Sequence, residues 1–554
     1  MPMVDGRAAY NFGARRSGEA HGVVLTKPHV VQLILDLAGY RSERDLAHMR
    51  LLEPSCGHGA FLVQAVERLL LSAARQGVRA QELGHAIAAY DVDPSHVSLA
   101  RQNVERVLTT AGVTSTLARK LTSKWIQCAD FLLAPLAADS DFVVGNPPYV
   151  RIEQISGALA AEYRSRYASI FDRADLYVAF IERGLSLLSE RGVLSFICAD
   201  RWSLNKYGAP LRALLAERYR VYCYIDLHRA SPFESDVIAY PSIFAAGRGQ
   251  TTQVTVAKLE TATADECASL ARQLSGQDTA AAPALAVYDS WFAGDEPWVI
   301  SSPAQLRALR DLETRFAPIA ASARVGIGVA TGCDERYIVH SELDVERDRL
   351  VPLVMREDIE QGRIKPSTRC VINTFEEGGK LVDLTHYPKL QHYFQTHAAQ
   401  LKKRHIAGKN PSAWFRTIDR VYPSLAREPK LLIPDIAGAN EVVFEPGNYH
   451  PHHNLYFVTS AVWDLEVLGG LLSSRVALFF VWSYAVKMRG RYLRFQAQYL
   501  RRIRLPDPST LDAALARALK AAFRRRDFAR LDELALRAYA LPDLPAFDFF
   551  DTRR

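Results

Sequence analysis

At 554 residues the chain is too long for one hydrophobic core and requires two or three domains. Its 49% hydrophobic and 23% charged residues exclude a disordered or fibrous protein, and a net charge of +7 permits a polyanionic partner without demanding one. Seven cysteines (56, 128, 198, 223, 267, 333 and 370) with no CxxC pair argue against a zinc site or a disulfide framework, so no metal is expected and the thiols read as reduced, as in a cytoplasm.

Residues 1–20 carry Arg7, Arg15 and Arg16 among small residues and read as a flexible basic arm. Next, Thr26 has the look of an N-cap and Pro28 sits in a first turn, with apolar residues at 30, 31, 33, 34, 35 and 37 and a stop near Gly39. Spacing alone says only that this is a capped helix. Residues 49–52 are a short strand ending in Glu53-Pro54-Ser55-Cys56-Gly57-His58-Gly59, followed by an amphipathic helix. A strand, a glycine turn and a helix open a Rossmann-like unit. Glu53 would repel a phosphate there and suits a cationic group. A second strand, 85–90, leads to Asp91-Val92-Asp93-Pro94, where an acid can accept from ribose hydroxyls. Asp91 is preferred over Asp93, although either would also serve as an N-cap. A third strand, 124–128, leads to Asp130 and Phe131.

The stretch Asp141 to Arg151, DFVVGNPPYVR, organises the rest. Phe142, Val143 and Val144 form a buried strand, and Gly145-Asn146-Pro147-Pro148 stops it at its C-terminal edge, where open α/β sheets bind ligands. Two prolines fix φ and remove two donors, leaving the carbonyls as acceptors. The Asn146 amide oxygen and the Pro147 carbonyl then suit an exocyclic amine, and Tyr149 offers a face to its ring. A plain Pro-Pro turn is the competing reading. A helix from Asp175 to Leu188, a strand over 192–197, a helix after Tyr207 and strands near 221–227 and 238–245 follow, with Phe233 in the loop SPFESDVIAYPS.

From 251 to 300 the pattern loosens into a linker or extension, and a second domain begins near Ser301. The segment LKKRHIAGKNPSAWFRTIDR mixes basic residues with Trp414 and Phe415. The run containing Lys487, Arg489, Arg491, Arg494, Arg501, Arg502 and Arg504, with Tyr492, Phe495 and Tyr499, has no acid. Solvated faces usually mix signs, so phosphate contacts are the economical reading. Residues 467–486 contain Arg475 and read as a buried helix, not a membrane span. After Pro506 comes a helical tail.

Residues 20–245, with NPPY at 146–149 and an acid at three strand ends, resemble the gamma class of N6-adenine DNA methyltransferases, the TaqI type. Segments ARVGIGVATGCDERYIV, RLVPLVMREDIEQGRI and HHNLYFVTS resemble the target-recognition domain of that class. The resemblance implies an α/β fold: a Rossmann-like class I S-adenosylmethionine-dependent methyltransferase domain plus a C-terminal mixed α/β target-recognition domain. The expected division is an arm at 1–20, a catalytic domain at 21–250, a linker or extension at 251–300, a recognition domain at 301–505 and a helical tail at 506–554.

S-adenosylmethionine would be held by Thr26 on its carboxylate, by the turn Glu53, Pro54, Ser55, Gly57 and Gly59, by Asp91 on the ribose, and by Asp130 and Phe131 at the adenine. Asn146, Pro147, Tyr149 and Phe233 would be the catalytic set around a flipped adenine, with a core-plugging phenylalanine as the alternative for Phe233. Double-stranded DNA would be the partner of a monomer, through Lys487, Arg489, Arg491 and Arg494. Room is left for a separate cognate restriction endonuclease, and the expected place is the cytoplasm, at the nucleoid. Methylation of RNA or of a protein glutamine, and a silent DNA-binding module, are the other classes. They fit less well, because the basic C-terminal half is large and every catalytic position keeps a competent residue.

Overall fold

The computed structural model describes residues 24–235, 240–276, 285–289, 291–299, 301–437, 441–485 and 493–547. The arm at 1–20 and the residues Lys487, Arg489 and Arg491 lie outside them. The chain divides into two compact units, Met1–Val299 and Ile300–Arg554.

In the first unit α1 (Pro28–Ala38) buries Val30, Val31, Ile34 and Leu35 and ends at Gly39, whose φ of +78° is the left-handed turn that glycine adopts without strain. Its N-cap is Lys27, with no side-chain cap, and not Thr26 as expected. The Thr26 hydroxyl faces the fourth strand instead, as described below.

The elements that follow are β1 (Leu51–Glu53), α2 (Ala60–Gln76), β2 (Ile87–Asp91), α3 (Pro94–Thr110), α4 (Ser115–Trp125), β3 (Ile126–Cys128) and β4 (Ser140–Gly145). Next come α5 (Gly157–Arg166), α6 (Tyr177–Ser186), β5 (Leu188–Ala199), α7 (Arg201–Leu204), α8 (Ala209–Arg218) and β6 (Tyr219–Asp226). The unit closes with β7 (Pro241–Arg248), β8 (Gln253–Lys258), α9 (Ala264–Leu274) and β9 (Leu285–Asp289).

Among the described residues the strands make one nine-stranded sheet in the order β3-β2-β1-β4-β5-β7-β6-β8-β9. The run from β3 to β5 is parallel, while β7 is antiparallel to both β5 and β6. Parallel strands are covered on both faces and so lose polar alternation. Phe142 and Val144 join the core formed with α1, α2, α3 and α4. Val143 points the other way, to α6, where a Cβ added to Gly184 would lie 3.2 Å from Val143 and 2.7 Å from Leu194. Only glycine lets that helix press so close. Residues 251–300, expected as a linker or extension, extend this sheet through β8 and β9. They also bring Trp291 and Trp298 into a fully buried aromatic cluster with Trp202 and Tyr224.

The second unit opens with a helix, Pro303–Arg315, capped by Ser302 and Gln305. One four-stranded antiparallel sheet orders Arg324–Ile327, Leu455–Thr459, Lys430–Pro434 and Val443–Glu445. A second orders Ile338–His340, Arg369–Ile372, Leu350–Val354 and His450–Pro451, the last pair parallel. The apolar stretch expected as one buried helix is two, Leu465–Leu472 and Arg475–Tyr484, bent by 59° where Ser474 caps the second. Among the described residues no single helix is long and apolar enough to cross a membrane. The tail forms two helices, Ala513–Arg525 and Phe528–Ala538. The first packs against Gly469 and Gly470, where any added Cβ would meet Phe523 or Leu519.

Candidate active site

Four strand ends carry the polar residues anticipated there. Glu53 closes β1, is 1% exposed, and has its Oε2 enclosed without a hydrogen-bond partner. Burial, and after it the nearby Asp91, push its carboxyl well above the ordinary glutamate value. Pro54 and Ser55 then lead into a turn where the Gly57 N–H donates to Asp91 Oδ2 at 2.9 Å. Gly59 starts α2 at φ +85°, and its Cβ position is only 3.2 Å from the Ala100 backbone, so α2 and α3 cross tightly.

Asp91, at the end of β2, also accepts from the Asp93 N–H at 2.9 Å and faces His96 Nδ1 at 3.2 Å. Asp93 has a separate task, capping α3 through the Ser95 N–H at 2.8 Å. The acid facing the glycine turn is therefore Asp91. His96, packed edge-on to His58 at 5.3 Å, belongs to this group and was not anticipated, because a histidine inside a helix carries no local signal.

Beyond β3, Asp130 accepts from Tyr163 Oη at 2.6 Å and from the Leu132 N–H at 2.8 Å. The Phe131 ring is 1% exposed, enclosed by Phe180 at 5.3 Å, Tyr90 at 6.2 Å and the Arg183 guanidinium at 5.1 Å. Its side chain thus serves the core below the strand edge.

Asn146 follows β4. Its Nδ2 donates to the Val24 carbonyl at 3.0 Å and approaches Thr26 Oγ1 at 3.4 Å, while its Oδ1 is enclosed and unpartnered. Pro147 is buried. Tyr149 is partly buried, with an enclosed hydroxyl lacking a partner and a pKa raised by burial. Its ring meets Phe233 at 6.4 Å and 75°, and Tyr177 at 6.1 Å. Phe233 is 5% exposed and packs in the core, so the core-plugging role and contact with Tyr149 coexist. A short antiparallel pairing ties these pieces together: Thr26 bridges Phe233, the Lys27 N–H donates to Pro232 O, and the Glu234 N–H donates to Leu25 O, each at 2.9 Å.

Of Lys487, Arg489, Arg491 and Arg494, the second-unit residues expected at DNA, only Arg494 is among those described. Arg494 pairs with Asp435 and sits on a short strand opposite Ile436. Phe495, Tyr499 and Phe415 are buried packing residues and offer no stacking face to solvent. Arg501 donates to the Val325 carbonyl at 2.9 Å.

A sheet with its seventh strand antiparallel between the fifth and sixth, an acid closing each of the first two strands and Asn-Pro-Pro-Tyr closing the fourth define a class I S-adenosylmethionine-dependent methyltransferase fold. The sequence profile of the Eco57I restriction-modification methylase family matches residues 119–233. The Type II methyltransferase M.BstVI of Geobacillus stearothermophilus is 45% identical over 516 residues, covering 90% of this chain and 92% of that one. Type II methyltransferase M.PaeR7I of Pseudomonas aeruginosa is 45% identical over 532 residues, covering 94% and 92%. Among solved structures, the Type IIL restriction-modification enzyme MmeI in complex with DNA shares the fold with a TM-score of 0.61, at 13% identity over 94% of this chain and 74% of that one. The chain belongs to the Type II methyltransferases of restriction-modification.

Proposed function

We propose that this protein transfers a methyl group from S-adenosylmethionine to the N6 amine of an adenine flipped out of duplex DNA, as the modification enzyme of a restriction-modification system. The observation that carries the reading is the Asn146 amide, whose nitrogen is anchored on Val24 while its buried oxygen has no donor. An unpaired buried acceptor costs about 1–3 kcal/mol. A substrate amine repays that cost.

The residues present fit the cofactor. Glu53 and its enclosed oxygen suit an ammonium, Asp91 suits ribose hydroxyls, Asp130 an adenine amine and Thr26 a carboxylate, with Pro54, Ser55, Gly57 and Gly59 shaping the turn and Phe131 buttressing it from below. When bound, the cofactor supplies an electrophilic methyl on a sulfonium.

Asn146 Oδ1 and the Pro147 carbonyl accept the two hydrogens of the amine, drawing its nitrogen toward sp³ and freeing a lone pair for in-line attack. No general base is required, since the hydrogen turns acidic only once nitrogen is cationic. Flipping costs a few kcal/mol. Stacking on Tyr149 returns about 1–3 kcal/mol. The Tyr149 and Phe233 rings touch edge to face, so an entering base must part them. Lys487, Arg489 and Arg491 are assigned to DNA phosphates, with the protein acting as a monomer beside a separate nuclease. Arg494, first grouped with them, would have to leave Asp435 to join.

Methylation-sensitive sequencing of DNA from cells expressing the wild type or Asn146→Ala tests this reading. N6-methyladenine at one recurrent site, absent from the variant, is the expected result. Methyl groups on cytosine, or none on DNA, would overturn it.

A further inference from the structure

In the second unit two consecutive histidines stand on a fixed backbone. The His452 N–H donates to the Val354 carbonyl and the His453 N–H to the Val329 carbonyl, both at 3.0 Å, and His452 bridges Val329 in parallel register. Asp334 opens the short helix Asp334–Tyr337, and its Oδ1 accepts from Thr331 Oγ1 at 2.5 Å. That leaves Oδ2 facing His452 Nε2 at 3.1 Å, and the same nitrogen lies 2.8 Å from His453 Nδ1.

One ring nitrogen cannot serve both neighbours well. Protonated, Nε2 must split a single hydrogen between the carboxylate and the second imidazole. Unprotonated, it accepts from His453 but turns its lone pair toward a carboxylate oxygen. A cation at the centre removes the conflict, because all three atoms then point lone pairs at it. Donors bound at about 2.0–2.2 Å from one ion lie about 2.8–3.1 Å apart at a right angle and about 3.3–3.6 Å apart in a tetrahedron. The 3.1 and 2.8 Å separations here fit the right-angle arrangement, and all three atoms lie within 4.8 Å of one another.

We propose that Asp334, His452 and His453 bind one divalent transition-metal cation. Two imidazoles and a carboxylate select zinc- or cobalt-like ions over magnesium or calcium, and three protein ligands leave positions for water. The ion clamps the Val329–Asp334 turn onto the His452 strand end, joining residues 118 apart in sequence. Counting cysteines could not reveal such a site, since no thiol takes part. The inference stands apart from the methyl-transfer reading.

The test uses the full-length protein, stripped with a chelator and titrated with zinc against a chromophoric competitor, and then with cobalt. One zinc per chain, at least tenfold weaker in His453→Gln and in Asp334→Asn, is expected. A higher melting temperature with zinc in the wild type only should accompany it, because a ligand of the folded state stabilises it. Cobalt should give visible ligand-field bands without the near-ultraviolet absorption of sulfur coordination. His453 is exposed, so its substitution should leave the metal-free melting temperature unchanged. Equal zinc binding by His453→Gln, sulfur-type cobalt absorption, or no binding by the wild type would each overturn the proposal.

Discussion

The side-chain nitrogen of Asn146 donates to the carbonyl oxygen of Val24 across 3.0 Å, and that one bond decides which way the amide proposed to act on the substrate faces. One end of the amide accepts hydrogen bonds and the other donates them, so the donor bond settles which end is which. With Nδ2 tied to the strap before α1, Oδ1 is left enclosed and without a donor.

Asn146→Ala should therefore abolish methyl transfer, with a loss of at least about a hundredfold, the scale found when one preorganised polar group is removed from a reacting centre. Cofactor affinity should change little. Asn146→Asp should also fail, because a carboxylate cannot donate to Val24 and would face its carbonyl in repulsion. Single-turnover transfer of labelled methyl groups to unmethylated DNA, alongside calorimetry for the cofactor, checks both. Normal turnover in either variant would sink the mechanism.

Thr26 offers a sharper distinction. Its Oγ1 is 3.4 Å from Asn146 Nδ2, and the residue is 3% exposed. If it positions the amide, Thr26→Val should lower kcat while Thr26→Ser restores it. If it serves only a cofactor carboxylate, the valine variant should raise KM for the cofactor and leave kcat alone. The backbone pairing of Thr26 with Phe233 is untouched by either substitution, so the split between kcat and KM reads the side chain alone.

Much of this site was legible in the chain because each strand end is marked locally. An apolar run meets an acid or a Gly-Pro break, and the fold places those breaks along one edge. What escaped depends on distant partners. Thr26 reads as an N-cap from its neighbours alone, yet its hydroxyl is 120 residues away from the group it meets. Phe495 and Tyr499 stand beside arginines in a run that reads as phosphate-contacting, but they are buried in the second unit. The alanine- and threonine-rich passage after residue 250 hid two sheet strands, because the edge strand β9 pairs only with β8 and needs little apolar patterning of its own. The break at Ser473-Ser474 was readable: a serine followed by a helical run is an N-cap signal.

Glu53 makes the protein sensitive to pH. Its folded pKa lies above the ordinary value of 4.5, so its stabilising contribution is complete below that value and fades as pH rises through the raised pKa. Glu53→Gln should thus melt at a temperature that gains on wild type as pH increases. If Glu53 meets the cofactor's ammonium as proposed, binding favours the ionised carboxylate, so wild-type affinity should rise over the same window and that of the glutamine variant should stay flat. Calorimetric titration in two buffers of different ionisation enthalpy would register proton release on binding. Parallel affinity profiles for the two proteins would place the charge elsewhere.

Asp91 is expected to do two things at once. Asp91→Ala loses the acceptor for the Gly57 amide, leaving that N–H unmet at a cost of about 1–3 kcal/mol. It also loses the acceptor proposed for the ribose. Asp93→Ala should cost only a helix cap, about 1 kcal/mol. A cofactor dissociation constant raised in the first variant and unchanged in the second would assign the ribose to Asp91. The reverse pattern would assign it to Asp93.

The basic run near the C-terminus separates two kinds of arginine. Arg494 already holds Asp435, and their strands pair at Ile436 and Arg494, so its charge is largely spent inside the unit. Arg494→Gln should lower stability, since it strands Asp435 without its partner, and should leave the dependence of DNA affinity on salt nearly unchanged. Arg491 has the same charge in the same acid-free run. If it meets a phosphate, Arg491→Gln should weaken binding to all duplexes alike and flatten the slope of log affinity against log salt by about 0.9. A loss confined to one duplex, about 1–3 kcal/mol, would instead mean that Arg491 reads a base edge. If the salt slope moves for Arg494→Gln and not for Arg491→Gln, the ion pair with Asp435 opens on DNA and the phosphate contact belongs to Arg494.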